Sequence, residues 1–148
     1  MPRTYLSLAV HIVFSTKNRI PYFHEEFQPK VHAYLGGVLK GLDAIPLKIG
    51  GVSDHVHLLV GLKGEHSVAD VVREVKKSSN GWIREQTGFS DFNWQEGYAG
   101  FSVSSERQPN VKQYIASQVE HHRTKSFQSE LMELLTFAKI PYDPSALD

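Results

Sequence analysis

The sequence predicts an α+β fold in which helices cover one face of an antiparallel sheet. The chain has 148 residues, 41% of them hydrophobic, which is enough for one domain to form a core without disulfides or a structural metal. Segments that alternate between apolar and polar residues are interleaved with segments of helical period. Their order is strand, helix, strand, strand, helix, strand, followed by further helices. This order predicts a ferredoxin-like sandwich spanning residues 1–148 as one domain, extended by a C-terminal helix that carries a tyrosine.

The first four elements follow from the apolar pattern. Residues 4–15 are rich in β-branched and aromatic side chains and predict the first strand. Apolar residues at helical spacing predict a helix over 27–42. Two short apolar runs, 45–52 and 55–62, are separated by two residues and predict a hairpin.

The second half begins with a helix signal. Ser67, three residues before Asp70, resembles a capping box and predicts a helix that reaches about Glu85 and ends near Gly88. The remaining predicted elements are one or two strands over 92–94 and 100–104, a helix from Pro109 or Asn110 to about Arg123, and a short helix over 128–139.

Composition narrows the classes of function. The chain has no cysteine, which excludes disulfides and thiolate zinc sites and suits a reducing cytoplasm. It contains no apolar run of the roughly 18 residues that span a bilayer. His11 interrupts the apolar N-terminal stretch and no small-residue cleavage site follows, so we expect a strand there rather than an export signal. The formal net charge is +0, and any nucleic-acid contact must come from local patches.

Two histidines lie one residue apart in the stretch SDHVHLL. On a strand, His55 and His57 project to the same face, while Val56 and Leu58 face the other way. Two imidazoles on one face can bind one divalent cation. The alternative is that both histidines lie on a solvated sheet face, and the spacing alone favours that alternative.

A second group of polar residues lies in NVKQYIASQVEHHRTKSF. Tyr114 and Gln118 share a helix face, with His121 one turn further along. A phenol, a neutral oxygen ligand and two imidazoles form a coherent set for phosphoryl transfer. A histidine-triad nucleotide hydrolase is disfavoured because Leu59 replaces a third histidine, and a two-histidine phosphoesterase because neither histidine begins a His-x-Ser or His-x-Thr motif.

At this point the chain resembles the single-tyrosine HUH transposases of bacterial insertion sequences, the insertion-sequence-200-like group. HUH denotes two histidines around a bulky hydrophobic residue, here His55, Val56 and His57. The resemblance extends over GGVSDHVHLLVGL, KKSSNGWI, NWQEGYAGFSV and YIASQVEHHRTKSF, which lie in the order and spacing of the family.

The resemblance implies a metal-dependent DNA transposase that cleaves one strand and leaves a 5′-phosphotyrosine link. Tyr114 would be the nucleophile, with His55, His57 and Gln118 as ligands of Mg²⁺ or Mn²⁺. It also implies single-stranded DNA hairpins as substrate and a homodimer with composite active sites. Because this ligand set contains no carboxylate, we expect weak metal binding in the absence of DNA.

Contacts with DNA phosphates would come from basic residues distributed over three regions. They are Lys17, Arg19, Arg73, Lys76, Lys77, Arg84, Arg123 and Lys125, with His122 beside the last two. Trp82, Trp94 or Tyr98 could stack on bases, although core packing is the more common role of tryptophan.

Two other functions stay open. One is a domesticated relative that binds hairpin DNA without completing transposition. The other is a hydrolase with a metal-bound water, which is disfavoured because no carboxylate is expected beside the histidines and Asp54 should point to the opposite face.

Overall fold

The computed structural model describes residues 3–147 and contains a four-stranded antiparallel sheet. The strands are β1 (Leu8–Ser15), β2 (Ile45–Gly51), β3 (His55–Leu62) and β4 (Ala99–Val103), in the order β2-β3-β1-β4. The antiparallel pairs β1–β3, β1–β4 and β2–β3 place the histidine strand at the centre of the sheet. The predicted α+β fold is therefore confirmed.

Five α-helices complete the described part of the chain. They are α1 (Gln28–Gly41), α2 (Val68–Thr87), α3 (Gln108–Ala116), α4 (Gln118–His121) and α5 (Phe127–Phe137). Within residues 3–147, no helix combines the length and the apolar character that a membrane crossing requires.

The helices cover both faces of the sheet. Alternate residues of β1 and β3, including Phe14 and Leu58, form the main core beneath α1 and α2. The other face of the same strands, including Leu59 and Val13, packs under α3 and α5. The prediction of helices on one face is therefore incomplete, because the C-terminal helices shield the second face and bury the residues that point to it.

Two of the predicted strands differ from the observed ones. Pairing of β1 begins at Leu8, which faces Leu62 at the end of β3, so residues 4–7 have no strand partner there. The expected strand over 92–94 is reduced to one bridge between Thr16 and Trp94. The start of α2 after Ser67 is confirmed, as is its end at Gly88, which has a φ of 77° that glycine adopts readily.

The predicted helix to Arg123 is interrupted at Ser117, which has a φ of −96° and a ψ of 15°. α3 therefore ends at Ala116, and α4 begins at Gln118. Val119, which an unbroken helix would place in line with Val111 and Ile115, is 55% exposed.

Candidate metal and tyrosine site

The two histidines of β3 lie inside the protein. His55 and His57 are both 0% exposed, and they face α3–α5 while Val56 and Leu58 face the main core. The alternative of two histidines on a solvated face is wrong, because the C-terminal helices cover that face. Buried imidazoles must have hydrogen-bond partners, and the partners define the site.

Glu130, which sequence reasoning did not single out, lies at the centre of the cluster. Its carboxylate is on α5 and the residue is 1% exposed. Its Oε1 atom accepts hydrogen bonds from Nε2 of His57 at 3.1 Å and Nε2 of His122 at 2.9 Å. Nε2 of His55 lies 3.4 Å from the same oxygen. Three imidazoles therefore converge on one carboxylate oxygen.

The second oxygen of Glu130 joins the tyrosine to the cluster. The Tyr114 hydroxyl donates a hydrogen bond to Glu130 Oε2, and Nε2 of Gln118 donates to the same oxygen at 2.9 Å. Oε1 of Gln118 accepts a hydrogen bond from His55 Nε2 at 3.0 Å. The structure thus brings together, within one chain, the four residues expected to be catalytic or metal-binding.

Two further contacts orient the imidazoles from behind. Nδ1 of His55 donates to Asp54 Oδ1 at 2.8 Å. Nδ1 of His57 shares a hydrogen bond of 2.8 Å with Nε2 of His11, itself only 4% exposed. Such contacts fix the ring orientation and tautomer of a metal-binding histidine.

Two of the sequence-based predictions about carboxylates near the histidines are wrong. Asp54 does not point away from His55, because Asp54 precedes the first residue of β3 and lies in the turn rather than in the regular strand. A carboxylate is also present beside the histidines, since α5 brings Glu130 to His57 across 73 positions of sequence. The hydrolase can therefore no longer be disfavoured on that ground.

A sequence signal for Glu130 did exist. Phe127, Leu131 and Leu135 form the buried stripe of α5 and pack against Val13 of β1. Glu130 lies within this stripe, at the same helical spacing. A carboxylate on the apolar face of an amphipathic helix indicates a buried polar partner.

The buried charges perturb the site's pKa values. Burial disfavours the charged form of His55, but hydrogen bonds to Asp54 and Glu130 outweigh burial and raise its pKa to about 9. Burial lowers the pKa of His57 to about 4. For Glu130, burial is outweighed by hydrogen bonds from His122, His55 and His57, which hold the pKa of its carboxyl well below the usual range. Glu130 is therefore ionised at neutral pH.

The Tyr114 phenol is protonated in this arrangement. Burial, and then its hydrogen bond to ionised Glu130, raise the pKa of the phenol well above 10. A protonated phenol is a weak nucleophile, so attack requires a carboxylate or a cation close to the oxygen. Glu130 is in hydrogen-bond contact with it.

The donor set fits a divalent cation. One ligand atom from each of His55, His122 and Glu130 can be chosen so that all three lie within 4.8 Å of one another. Imidazole nitrogen and carboxylate oxygen are common ligands of divalent transition metals. Nε2 of His121 is buried and has no hydrogen-bond partner among residues 3–147, which leaves a polar atom beside the cluster available to a ligand.

Most of the predicted DNA contacts are engaged within the protein. Nζ of Lys76 donates to the carbonyl oxygens of Gln95 at 2.8 Å and Gly97 at 2.7 Å. Burial lowers the pKa of Lys76 to about 8. Nε of Arg84 donates to the carbonyl oxygen of Phe92 at 2.8 Å. Lys76 and Arg84 therefore fasten the segment before β4 to α2.

The other basic residues lie nearer the surface. Three of them form ion pairs, Arg73 with Asp70, Arg123 with Glu120, and Lys125 with Glu133. Lys17, Arg19 and Lys77 make no ion pair with any residue between 3 and 147. Lys17 and Arg19 form a short 3-10 turn after β1, where Thr16 donates its backbone N–H to the carbonyl of Asp54 at 2.8 Å. This turn lies next to the metal and tyrosine site.

The tryptophans pack against other aromatic side chains. Trp94 is 4% exposed and lies edge-on to Phe14, with ring centroids 4.8 Å apart. Trp82 stacks on Tyr34 at 4.4 Å. Tyr98, by contrast, is 40% exposed and is the one of the three proposed stacking residues that is open to a base.

A surface groove reaches His11, which supports His57 from behind. It runs between β4, α3 and the end of α5, and His11 forms part of its lining. Because His11 is hydrogen-bonded to His57, the groove leads to the edge of the site. Exposed Arg107 and the hydroxyls of Ser102 and Ser104 also line it.

The fold, with histidines on the central strand facing a tyrosine-bearing helix, places this chain among the transposases of insertion-sequence type. Residues 4–118 match the family model of IS200-like transposases. The chain belongs to that family.

Solved structures share the fold. A candidate transposase from Deinococcus radiodurans R1 is 22% identical, with a TM-score of 0.64 over 80% of this chain and 96% of its own. A REP-associated tyrosine transposase, solved bound to a REP hairpin, is 14% identical, with a TM-score of 0.61 over 100% of this chain and 90% of its own. At these identities the likeness shows the fold. No curated protein sequence matches the chain.

Proposed function

We propose that this protein is a metal-dependent transposase that cleaves single-stranded DNA with Tyr114 and holds the DNA through a 5′-phosphotyrosine link. The observation that carries the proposal is the contact of Tyr114 with Glu130, the residue on which His55 and His57 also converge. A phenol and a cluster of candidate metal ligands are thereby next to each other inside one chain.

The proposed reaction uses these contacts. The Tyr114 oxygen attacks a backbone phosphorus, a bond forms between that oxygen and phosphorus, and the bond to the 3′ oxygen breaks. The phenol proton passes toward Glu130 Oε2, which already accepts its hydrogen bond, and the 3′ oxygen gains a proton from water. His55, His57 and Gln118 would hold the cation, Mg²⁺ or Mn²⁺, which would polarise the phosphate and offset its developing charge.

Because the tyrosine link preserves the phosphodiester energy, a new 3′-hydroxyl can reverse the attack without ATP. Strand transfer needs no other activated group. A hydrolase would release its product into solution, whereas this chemistry retains one DNA end on the protein.

We propose single-stranded DNA with a hairpin as the substrate. The solved relative bound to a REP hairpin supports a hairpin as partner for this fold. Exposed Lys17 and Lys77 are available for phosphate contacts, and the groove that Arg107 lines extends to His11.

The homodimer with composite sites stays a prediction of the family resemblance. Tyr114 and His57 of one chain already lie together, with ring centroids 5.7 Å apart. A composite site would require α3 to move from this position into a partner subunit.

The test is incubation with Mn²⁺ and single-stranded DNA that carries hairpins from the ends of the element encoding the chain. We expect a covalent adduct on denaturing gels, joined through the 5′ side of the DNA and absent in Tyr114→Phe. Tyr142→Phe is the matched control, since Tyr142 lies at the far end of α5 beside Thr136, and it should form the adduct normally.

Other results of this incubation would support one of the two alternative functions. Binding of the hairpin with no adduct in the wild-type protein supports the domesticated DNA-binding relative. Cleaved DNA with no adduct, unaffected by Tyr114→Phe, supports the hydrolase. Either result would overturn the proposal.

A further inference from the structure

The Glu130 carboxylate at the centre of the site bears on whether the site can bind a metal ion in the absence of DNA. The ligand set taken from the family resemblance contains two imidazoles and one amide, and it predicts weak metal binding without DNA. The structure adds a charged ligand, Glu130, and a third imidazole, His122, to the same volume. Both residues lie beyond the segment matched by the family model, which ends at residue 118.

We propose that Glu130 Oε1 and His122 Nε2 are ligands of the divalent cation, so that the protein binds Mn²⁺ in the absence of DNA. This inference deepens the function proposed above and rests on it for the role of the cation. It concerns binding rather than cleavage, and the two can fail separately.

The distances between the donor atoms support this assignment. Oε1 of Glu130 lies 2.9 Å from His122 Nε2, 3.1 Å from His57 Nε2 and 3.4 Å from His55 Nε2. Ligand atoms at about 2.1 Å from an octahedral cation are separated by about 3 Å along each edge of the octahedron. The donors are therefore spaced as neighbouring ligands, and they release their protons when a metal binds.

Burial and charge support it further. Glu130 is 1% exposed, and no arginine or lysine between residues 3 and 147 contacts its carboxylate. A buried carboxylate needs positive charge close by, and a divalent cation supplies more of it than the imidazoles alone.

The two oxygens of Glu130 then have different roles. Oε1 faces the imidazoles, while Oε2 accepts hydrogen bonds from Tyr114 and Gln118. Glu130 would thus hold the nucleophile at a fixed position relative to the cation, and it is a positioning residue for Tyr114 as well as a ligand.

The experiment measures Mn²⁺ binding to the full chain without DNA, by titration calorimetry and by the loss of the free-Mn²⁺ electron paramagnetic resonance signal. We expect one ion per chain, with at least about tenfold weaker binding in Glu130→Gln and in His122→Gln. The matched control is Glu133→Gln, on the exposed side of the same helix, which should bind Mn²⁺ like the wild-type protein.

A measurement on the wild-type protein tests the same ligand assignment even if the variants do not fold. Cell-free synthesis with glutamate ¹³C-labelled at its carboxylate should give a ¹³C coupling to bound Mn²⁺, together with ¹⁴N couplings from imidazole. No Mn²⁺ binding without DNA, or bound Mn²⁺ with no ¹³C coupling, would overturn the inference. Wild-type affinity in a folded Glu130→Gln protein would also overturn it.

The outcomes are separable from the proposed function. If the protein binds Mn²⁺ through Glu130 but forms no DNA adduct, the transposase proposal is wrong and this inference is supported. If the protein forms the adduct but binds Mn²⁺ only when DNA is present, the transposase proposal is supported and this inference is wrong. Tyr114→Phe should keep its Mn²⁺ affinity in both cases, because the phenol is not a ligand.

Discussion

The backbone of Gly50 in β2 lies directly against the carbonyl oxygen of Ile115 in α3, so close that a Cβ at position 50 would lie 2.6 Å from that oxygen. Gly50 is also the ladder partner of His57. The missing side chain therefore lets the tyrosine helix lie flat on the sheet beside the histidine strand.

Replacing this glycine should displace the nucleophile. In Gly50→Ala the new methyl group pushes Ile115, and Tyr114 next to it, away from the sheet. Misplacement of a reacting group by about 1 Å can cost about 100-fold in rate, so we expect adduct formation to slow by about 10- to 100-fold while Mn²⁺ binding changes less. Gly37→Ala is the control, because nothing lies within 4 Å of a Cβ there. A wild-type rate in Gly50→Ala would show that α3 moves freely during the reaction.

Mixing two inactive variants distinguishes a site within one chain from a composite site. Tyr114→Phe lacks the nucleophile and His57→Gln lacks an imidazole, and each alone should form little adduct. The composite site implied by the family resemblance predicts adduct in the mixture. Tyr114 and His57 lie together in one chain, however, and on that arrangement we expect the mixture to remain inactive after co-refolding. Adduct in the mixture at a quarter or more of the wild-type level would instead indicate exchange of α3 between subunits.

A buried hydrogen bond predicts a stability loss. Nε1 of Trp94 donates to Ser79 Oγ at 2.8 Å, and both residues are buried. Ser79→Ala leaves the indole N–H without this partner, which should lower the free energy of unfolding by about 1–3 kcal/mol. Denaturant unfolding measures the change. Ser78→Ala, one residue earlier and exposed, should change the free energy of unfolding by less than about 0.5 kcal/mol.

The stability should also depend on pH through His32 of α1. Burial lowers its pKa from 6.5 to about 4 in the folded protein. Between these values the unfolded chain binds more protons than the folded one, so His32 makes stability fall as pH decreases. By pH 5 this contribution is at most about 2 kcal/mol. Unfolding in EDTA at pH 7.5 and pH 5 should show a smaller pH-dependent loss in His32→Gln, while exposed His24→Gln should behave like the wild-type protein.

One lysine offers a direct test of the DNA interface. Lys17 is exposed in the turn beside the site and makes no ion pair within residues 3–147. Lys17→Ala should weaken binding of hairpin DNA and reduce the slope of log K against log salt by about 0.7. Lys40→Ala, exposed at the end of α1, is the matched control. Equal salt slopes in all three proteins would exclude Lys17 from the interface.

The fold could be predicted because its signals are local. Period-two alternation in β3 placed His55 and His57 on one face, and the structure agrees. The capping signal at Ser67 and the glycine at position 88 set the ends of α2 closely. These features depend on residues that are neighbours along the chain.

The centre of the site could not be predicted in the same way. Glu130 reaches His57 only after α5 packs on β1 through Phe127 and Leu131. Nothing in the spacing between positions 57 and 130 encodes that approach. His11 was interpreted as an interruption of an apolar strand, although it supports His57 from the adjacent strand.

The break at Ser117 separates the tyrosine from the amide that follows it. α3 leans on β2 through Ile115, whereas the chain beyond the break is fastened to β1 by Phe127. A rotation at Ser117 would move Tyr114, while His55, His57 and Glu130 would keep their positions. A continuous helix over 108–121 would instead have moved Tyr114 and Gln118 together.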